Sequence, residues 1–163
     1  MNEHEFIKAY DAYADALFRH CYFRVYDKEL AKDLVQDAFM RTWEYIAKGK
    51  KIENLRAFLY RTLHNLIIDE FRRKKALSLD ELREKGADIA SREKLSPESL
   101  SDLKNIILRF ASLPPKYREV AIMRYIDDLA PKEIAEATGE SENNVSVRIN
   151  RATAQLRSLM KLS

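Results

Sequence analysis

Residues 131–159 read PKEIAEATGESENNVSVRINRATAQLRSL, and no other part of the chain limits its fold so tightly. Pro131 suits the first turn of a helix, where its missing N–H is not needed. Ile134 and Ala135 turn inward, and Ala135 is small enough for a second helix to approach closely. Gly139 supplies the left-handed residue that ends the first helix, and Ser141 is placed to N-cap the next. Val145, Ile149, Ala152, Leu156 and Leu159 then recur at helical steps as a buried stripe. A short helix, a glycine turn and a longer helix follow. The outward face of the longer helix carries Asn143, Asn144, Ser146, Val147, Arg148, Asn150 and Arg151. Asn pairs bidentately with adenine and Arg with guanine, and Val147 suits a thymine methyl group. Arg and the amides also hold phosphates without reading sequence. The pattern is that of a helix-turn-helix, which lays its second helix in the major groove of DNA. A helical hairpin with an ordinary solvated face has the same spacing, so the rest of the chain must decide.

Only 3 Gly and 4 Pro occur in 163 residues, and 46% of residues are hydrophobic. The sequence predicts an all-α protein: two small helical domains joined by a flexible linker, the C-terminal one a helix-turn-helix. The net charge is +3, so binding to nucleic acid must come from local clustering of cations. Cys21 is the single cysteine. No disulfide framework is possible, which fits a reducing, cytoplasmic setting. The acidic, aromatic N-terminus does not read as a signal peptide. No apolar run is long enough to span a bilayer, so no membrane insertion is expected.

The first domain is expected over residues 5–75. Phe6, Tyr10, Tyr13, Leu17 and Tyr22 mark one helix. Leu30, Leu34, Val35, Ala38, Phe39, Thr42 and Ile46 mark a second, which Gly49 ends. Leu59, Leu63, Leu66, Ile67 and Phe71 mark the inner face of a third, from Arg56 to Lys75. Residues 76–101 lose the pattern and hold Ser96-Pro97, six acids and four bases. They read as a linker. Residues 102–163 are helical again, with Ile106, Ile107 and Phe110 on one stripe and a stop at Leu113-Pro114-Pro115.

The third helix is basic, with six cations against two carboxylates between Arg56 and Lys75. Its outer face carries Arg61, Asn65, Asp69, Arg72 and Arg73, with Phe58, Tyr60 and Phe71 interleaved. Cations neutralise phosphates, while aromatic and amide groups stack on or bond to exposed bases. An Asp69–Arg73 pair and the favourable placement of cations near a helix C-terminus explain the same residues without nucleic acid. The outer face of the second helix (Asp33, Gln36, Asp37, Met40, Arg41, Glu44, with Trp43 at its edge) suits a protein partner or plain solvent.

In this order, DLVQDAFMRTWEY (33–45), RAFLYRTLHNLIIDEFRRKK (56–75) and residues 113–157 resemble the extracytoplasmic-function sigma factors of bacteria. The resemblance implies a dissociable subunit that directs core RNA polymerase to promoter DNA and is held inactive by an anti-sigma factor. It implies that Asp33, Gln36, Asp37, Phe39 and Trp43 lie at or under the surface that docks on the polymerase. It assigns Tyr60, Arg61, Asn65, Asp69, Arg72 and Arg73 to opening and reading the minus-ten element. The loop from Gly49 to Asn54, with Lys50 and Lys51, becomes a pocket for a flipped base. Asn143, Asn144, Ser146, Val147, Arg148 and Arg151 become the minus-thirty-five contacts. Asn143-Asn144 and Ser146-Val147 depart from the residues frequent in the family, so promoter preference does not transfer. Ala130 replaces a frequent capping Ser.

No catalytic residue, metal ligand or cofactor is expected. His4, His20 and His64 are scattered, and no phosphate loop, HExxH or CxxC is present. The nearer rival is a two-lobed helix-turn-helix transcriptional regulator that does not act as a polymerase subunit. Such a regulator has no reason to pair an acidic, Trp-edged helix with a basic, aromatic one.

Overall fold

The computed structural model describes residues 1–81 and 101–161. The chain divides into two compact units, 1–93 and 94–163. All regular structure among the described residues is helical.

The first unit is built from α1 (Glu3–Val25), α2 (Lys28–Ala47) and α3 (Leu55–Glu81). Each start has a sequence-encoded cap. Asn2 and Glu5 form a reciprocal capping box, each side chain accepting from the other's backbone N–H at 2.9 Å. Asp27 accepts from the Leu30 N–H at 3.1 Å, and Asn54 from the Ala57 N–H at 3.1 Å. Tyr26, in the left-handed conformation, ends α1 and lets α2 turn back with only Tyr26 and Asp27 between the helices. α1 packs on α2, and α3 packs on both. That double contact explains why α3 buries a wide face: Ala57, Leu59, Tyr60, Leu63, His64, Leu66 and Ile67 are all inside. Thr42 is buried too, its hydroxyl donating to the Ala38 carbonyl at 2.7 Å, so the polar group costs little.

Two expectations need correction here. α3 continues six residues beyond Lys75, because Ala76 to Glu81 contains no helix breaker. Phe71, expected inside, is 39% exposed, with the Arg24 guanidinium 5.7 Å from its ring centroid. From residue 82 to 100 the segment read as a linker, Ser96-Pro97 included, lies outside the described residues.

The second unit contains α4 (Ser101–Ser112), α5 (Pro115–Ala121), α6 (Pro131–Thr138) and α7 (Glu142–Lys161). Its core is Ile107, Phe110, Leu113, Tyr117, Val120, Ile122, Met123, Leu129, Ile134, Val145 and Ala152. Arg118 ties the end of α4 to α5 by donating to the Phe110, Ala111 and Leu113 carbonyls. α5 does not stop at Ala121. It widens into a π-turn, Ile122–Ile126, which no sequence period announced. The Asp127 N–H bonds back to the Ile122 carbonyl at 3.0 Å. Asp128, left-handed, closes the turn. The Tyr125 hydroxyl meets Thr153 Oγ1 at 2.5 Å, joining this turn to α7.

Pro131 opens α6 as expected, and Glu133 accepts from the Ala130 N–H at 3.2 Å. That bond is one half of a capping box; the other half, from an N-cap side chain to the Glu133 N–H, is missing because Ala130 has no side-chain oxygen. Gly139 ends α6 at φ +75°. A Cβ there would meet nothing within 4 Å, so the left-handed backbone is the whole penalty of substitution. Gly139→Ala is therefore expected to destabilise the protein by about 1 kcal/mol, with Gly139→Asn costing less. Urea denaturation of the three proteins checks this; a neutral Ala variant would contradict it.

Candidate nucleic-acid interface

In the second unit, Ser141 accepts from the Asn144 N–H at 3.1 Å and starts α7. Val145, Ile149 and Ala152 face the core. The opposite face then presents Asn143, Asn144, Val147, Asn150 and Arg151 to solvent, with Ser146 half-buried. Among the described residues no side chain in this group has a hydrogen-bond or ion-pair partner. Val147 is 40% exposed, an apolar spot on an otherwise polar surface. Amides, one guanidinium and one small apolar group on an open helix face are the chemistry that base edges and phosphates require.

Arg148 does not belong to that face. Its side chain is only 16% exposed and lies 3.7 Å from the Glu119 carboxylate of α5. It also bonds to the Glu140 carboxylate and to the Lys116 carbonyl. Spacing along α7 placed Arg148 outside because it cannot show acids arriving from elsewhere in the chain.

In the first unit, Arg61, Asn65, Asp69 and Arg72 lie exposed along one line of α3. They follow each other at three- and four-residue steps and have no intramolecular partner among the described residues. Arg73 is also exposed, but its guanidinium bonds to Glu70 rather than to the expected Asp69. That hydrogen bond, strengthened by the Arg73 and Lys74 charges, holds the Glu70 carboxyl below its ordinary range. Asp69 stays open in consequence.

Tyr60 is a clear correction. It is 1% exposed and packs edge-on against His20, with ring centroids 5.4 Å apart. One residue from Arg61, it sits about 100° round the helix, inside the wide face that α1 and α2 cover. It cannot touch DNA in this fold.

The loop before α3 turns at Gly49, φ +81°. Lys50 lies over the Tyr45 ring at 4.9 Å, and Tyr45 packs on Phe58 at 4.8 Å. Lys51 is exposed. Asn54 already spends its side-chain oxygen on the α3 cap, which leaves its amide N–H groups for any ligand. The loop is thus a cationic rim on an aromatic pair.

On α2, Asp33 and Gln36 are exposed, and Asp37 is half-buried in an ion pair with Arg41 at 3.4 Å. Phe39 lies beneath the surface, against Tyr10 at 4.7 Å and Phe6 at 6.0 Å. Trp43 is half-buried on Phe6 at 5.0 Å. Three apolar side chains stand out on α1 and α2: Ile7 at 51%, Tyr10 at 41% and Met40 at 62% exposure. The sequence reading missed Ile7, and it assigned Tyr10 to the core. The signal was the excess of apolar residues on α1, more than one stripe can bury.

Cys21 is buried, and desolvation pushes its thiol up to about 12. It is a packing residue that stays protonated at neutral pH.

Residues 9–77 match the family described as Sigma-70 region 2, and residues 103–156 match Sigma-70, region 4. The matches cover the two units separately and in order. The ECF RNA polymerase sigma factor SigW of Bacillus subtilis is 31% identical over 167 residues, which span 93% of this chain and 86% of that one. The RNA polymerase sigma-E factor of Streptomyces coelicolor is 31% identical over 148 residues, 88% of this chain and 78% of that protein. The chain belongs to the extracytoplasmic-function (ECF) RNA polymerase sigma factors. Its fold is also that of the sigma factor RpoE in its complex with the anti-sigma factor NepR from Bartonella quintana. The TM-score is 0.80 at 22% identity, over 98% of both chains. CnrH, in complex with the cytosolic domain of CnrY, gives 0.72 at 23% identity over 99% of this chain and 91% of that one. Among the described residues no helix is long and apolar enough to cross a membrane.

Proposed function

We propose that this sigma factor divides its work between its units. The first docks on core RNA polymerase through α2 and opens the minus-ten element along α3. The second holds the duplex minus-thirty-five element with α7. One observation carries this reading: each unit exposes a largely polar helix face whose side chains have no partner in its own fold. On α3 these are Arg61, Asn65, Asp69 and Arg72; on α7 they are Asn143, Asn144, Val147 and Arg151. Arg73 and Ser146 lie at the margins. Asp69 among the cations suits an acceptor for exposed base amino groups, since a carboxylate has no use for a phosphate. Lys50, Lys51 and Asn54, with the Tyr45–Phe58 pair, form the rim where an unstacked base would seat.

On α2, Asp33, Gln36 and Asp37 form the polar part of the polymerase contact. Ile7, Tyr10 and Met40 form its apolar part, backed by Phe39 and Trp43. An interface needs such a desolvated centre within a polar rim. The same reading places the protein in the cytoplasm, where the polymerase is, under control of an anti-sigma factor. Reconstitution with core enzyme tests it: specific run-off transcripts are expected. No complex and no specific initiation would reject this reading in favour of a regulator that works without polymerase.

The acids allow a finer test. Asp33→Ala with Asp37→Ala is expected to weaken core binding by about 0.5–2 kcal/mol, at roughly 0.2–1 kcal/mol for each exposed ion pair lost. Binding of promoter duplex by the assembled holoenzyme should not change. Equal loss of both would point to a folding defect.

A further inference from the structure

Resting on the reading of α7 as the duplex-contacting helix, we propose that Arg148 is a positioning residue and not a reader of DNA. It is held inward by groups from two other places in the fold. One terminal nitrogen bonds to Glu140, in the turn between α6 and α7. The other bonds to the Lys116 carbonyl in the first turn of α5 and lies 3.7 Å from Glu119 at mid-helix. Both terminal nitrogens of the guanidinium fork are thereby engaged. Glu119 is as sheltered as its partner, at 14% side-chain exposure.

The contacts have a mechanical meaning. Arg148 sits one turn after Asn144 and one turn before Arg151, on the line between the open α7 face and the core. Glu119 and Lys116 fix that line to α5, while Glu140 fixes it to the turn. The tilt of α7 over its support, and so the direction in which Asn143, Asn144, Val147 and Arg151 point, depends on this clamp. Lysine cannot reproduce it, since a point charge does not span both acids and a carbonyl as a planar fork does.

The proposal gives acids a role opposite to their charge. Removing a carboxylate next to a DNA-binding helix should by simple electrostatics strengthen binding. If Glu119 and Glu140 hold the clamp, removing either weakens promoter-specific binding instead.

The experiment uses holoenzyme assembled from core polymerase and the full chain, with a promoter fragment identified from its own transcripts. Binding is measured against a scrambled fragment over a range of salt. Arg148→Ala, Glu119→Gln and Glu140→Gln are each expected to lower the promoter-to-scrambled ratio roughly tenfold, the scale of one charge-assisted hydrogen bond. The salt slope should not change in any of them. Arg151→Ala should lower that slope by about one, as a phosphate contact does. Arg148→Lys should recover only part of the ratio.

The proposal is overturned if Arg148→Ala lowers the slope by about one and relaxes preference at a single base pair, while the two Gln variants bind as wild type or more tightly. Should Arg148→Ala or Glu119→Gln fail to fold, Glu140→Gln decides alone. Glu140 lies in an exposed turn, and an unchanged ratio there overturns the clamp. A wild-type holoenzyme with no promoter preference would instead reject the duplex-binding role of α7.

Discussion

Replacing Arg61 and Arg72 together by alanine is expected to lower open-complex formation at least about 100-fold while leaving the affinity for core polymerase intact. The two guanidinium groups stand three turns apart on the same open line of α3, without partners inside the described fold. No internal bond is lost when they are truncated, so the fold should not respond. What is lost is two charge-assisted contacts to the opened strand, each about 1.5–3 kcal/mol, and their displaced counterions. The deficit should widen at low salt and shrink at high salt, because the variant releases fewer counterions and its salt slope is shallower. Arg73→Ala should cost much less. Arg73 is already bonded to Glu70, and its release from that carboxylate offsets part of any gain on DNA. Permanganate footprinting of the melted region, run beside a core-binding titration, separates the two effects. Normal melting in the double variant would remove α3 from the role proposed for it.

The difference between Arg72 and Arg73 shows where a sequence stops being informative. Spacing located α2, α3 and the α6–Gly139–α7 turn, because one apolar stripe and one left-handed glycine leave little choice of local structure. It also separated the α3 face of Arg61, Asn65, Asp69 and Arg72 from the core. It could not say which acid a cation would choose. Arg73 took Glu70 over Asp69, and Arg148 took Glu119, 29 positions earlier in the chain. The first is a choice between two acids on the same helix, at i−3 and i−4, both of which the spacing allows. The second is made by tertiary approach, which leaves no period in the sequence. The π-turn at Ile122–Ile126 was hidden for a related reason. One extra residue in a helical turn shifts the register by about 100°, and the apolar run Val120 to Met123 reads the same either way. Polar residues at the edges of wide faces are therefore the least legible part of this site, and open polar faces the most legible.

Tyr60 is the second large effect, and it should appear as folding instead of chemistry. Tyr60→Ala is expected to destabilise the first unit by about 3–5 kcal/mol, the cost of emptying a large aromatic site in a packed core. The ring lies at the meeting of α1 and α3, against His20 and 1% exposed, where neither helix can move in without unseating α2. A unit of this size has little stability to spare, so polymerase binding, melting and resistance to proteolysis should all fall together. Tyr60→Phe keeps the ring and loses only a hydroxyl. It should remain within about 1 kcal/mol of wild type and support transcription at near wild-type levels. Thermal unfolding together with run-off transcription distinguishes this from a direct DNA role. A well-folded Tyr60→Ala protein that binds core enzyme but fails only at melting would return the tyrosine to the DNA face. It would also mean that α3 exposes a face which α1 covers in this fold.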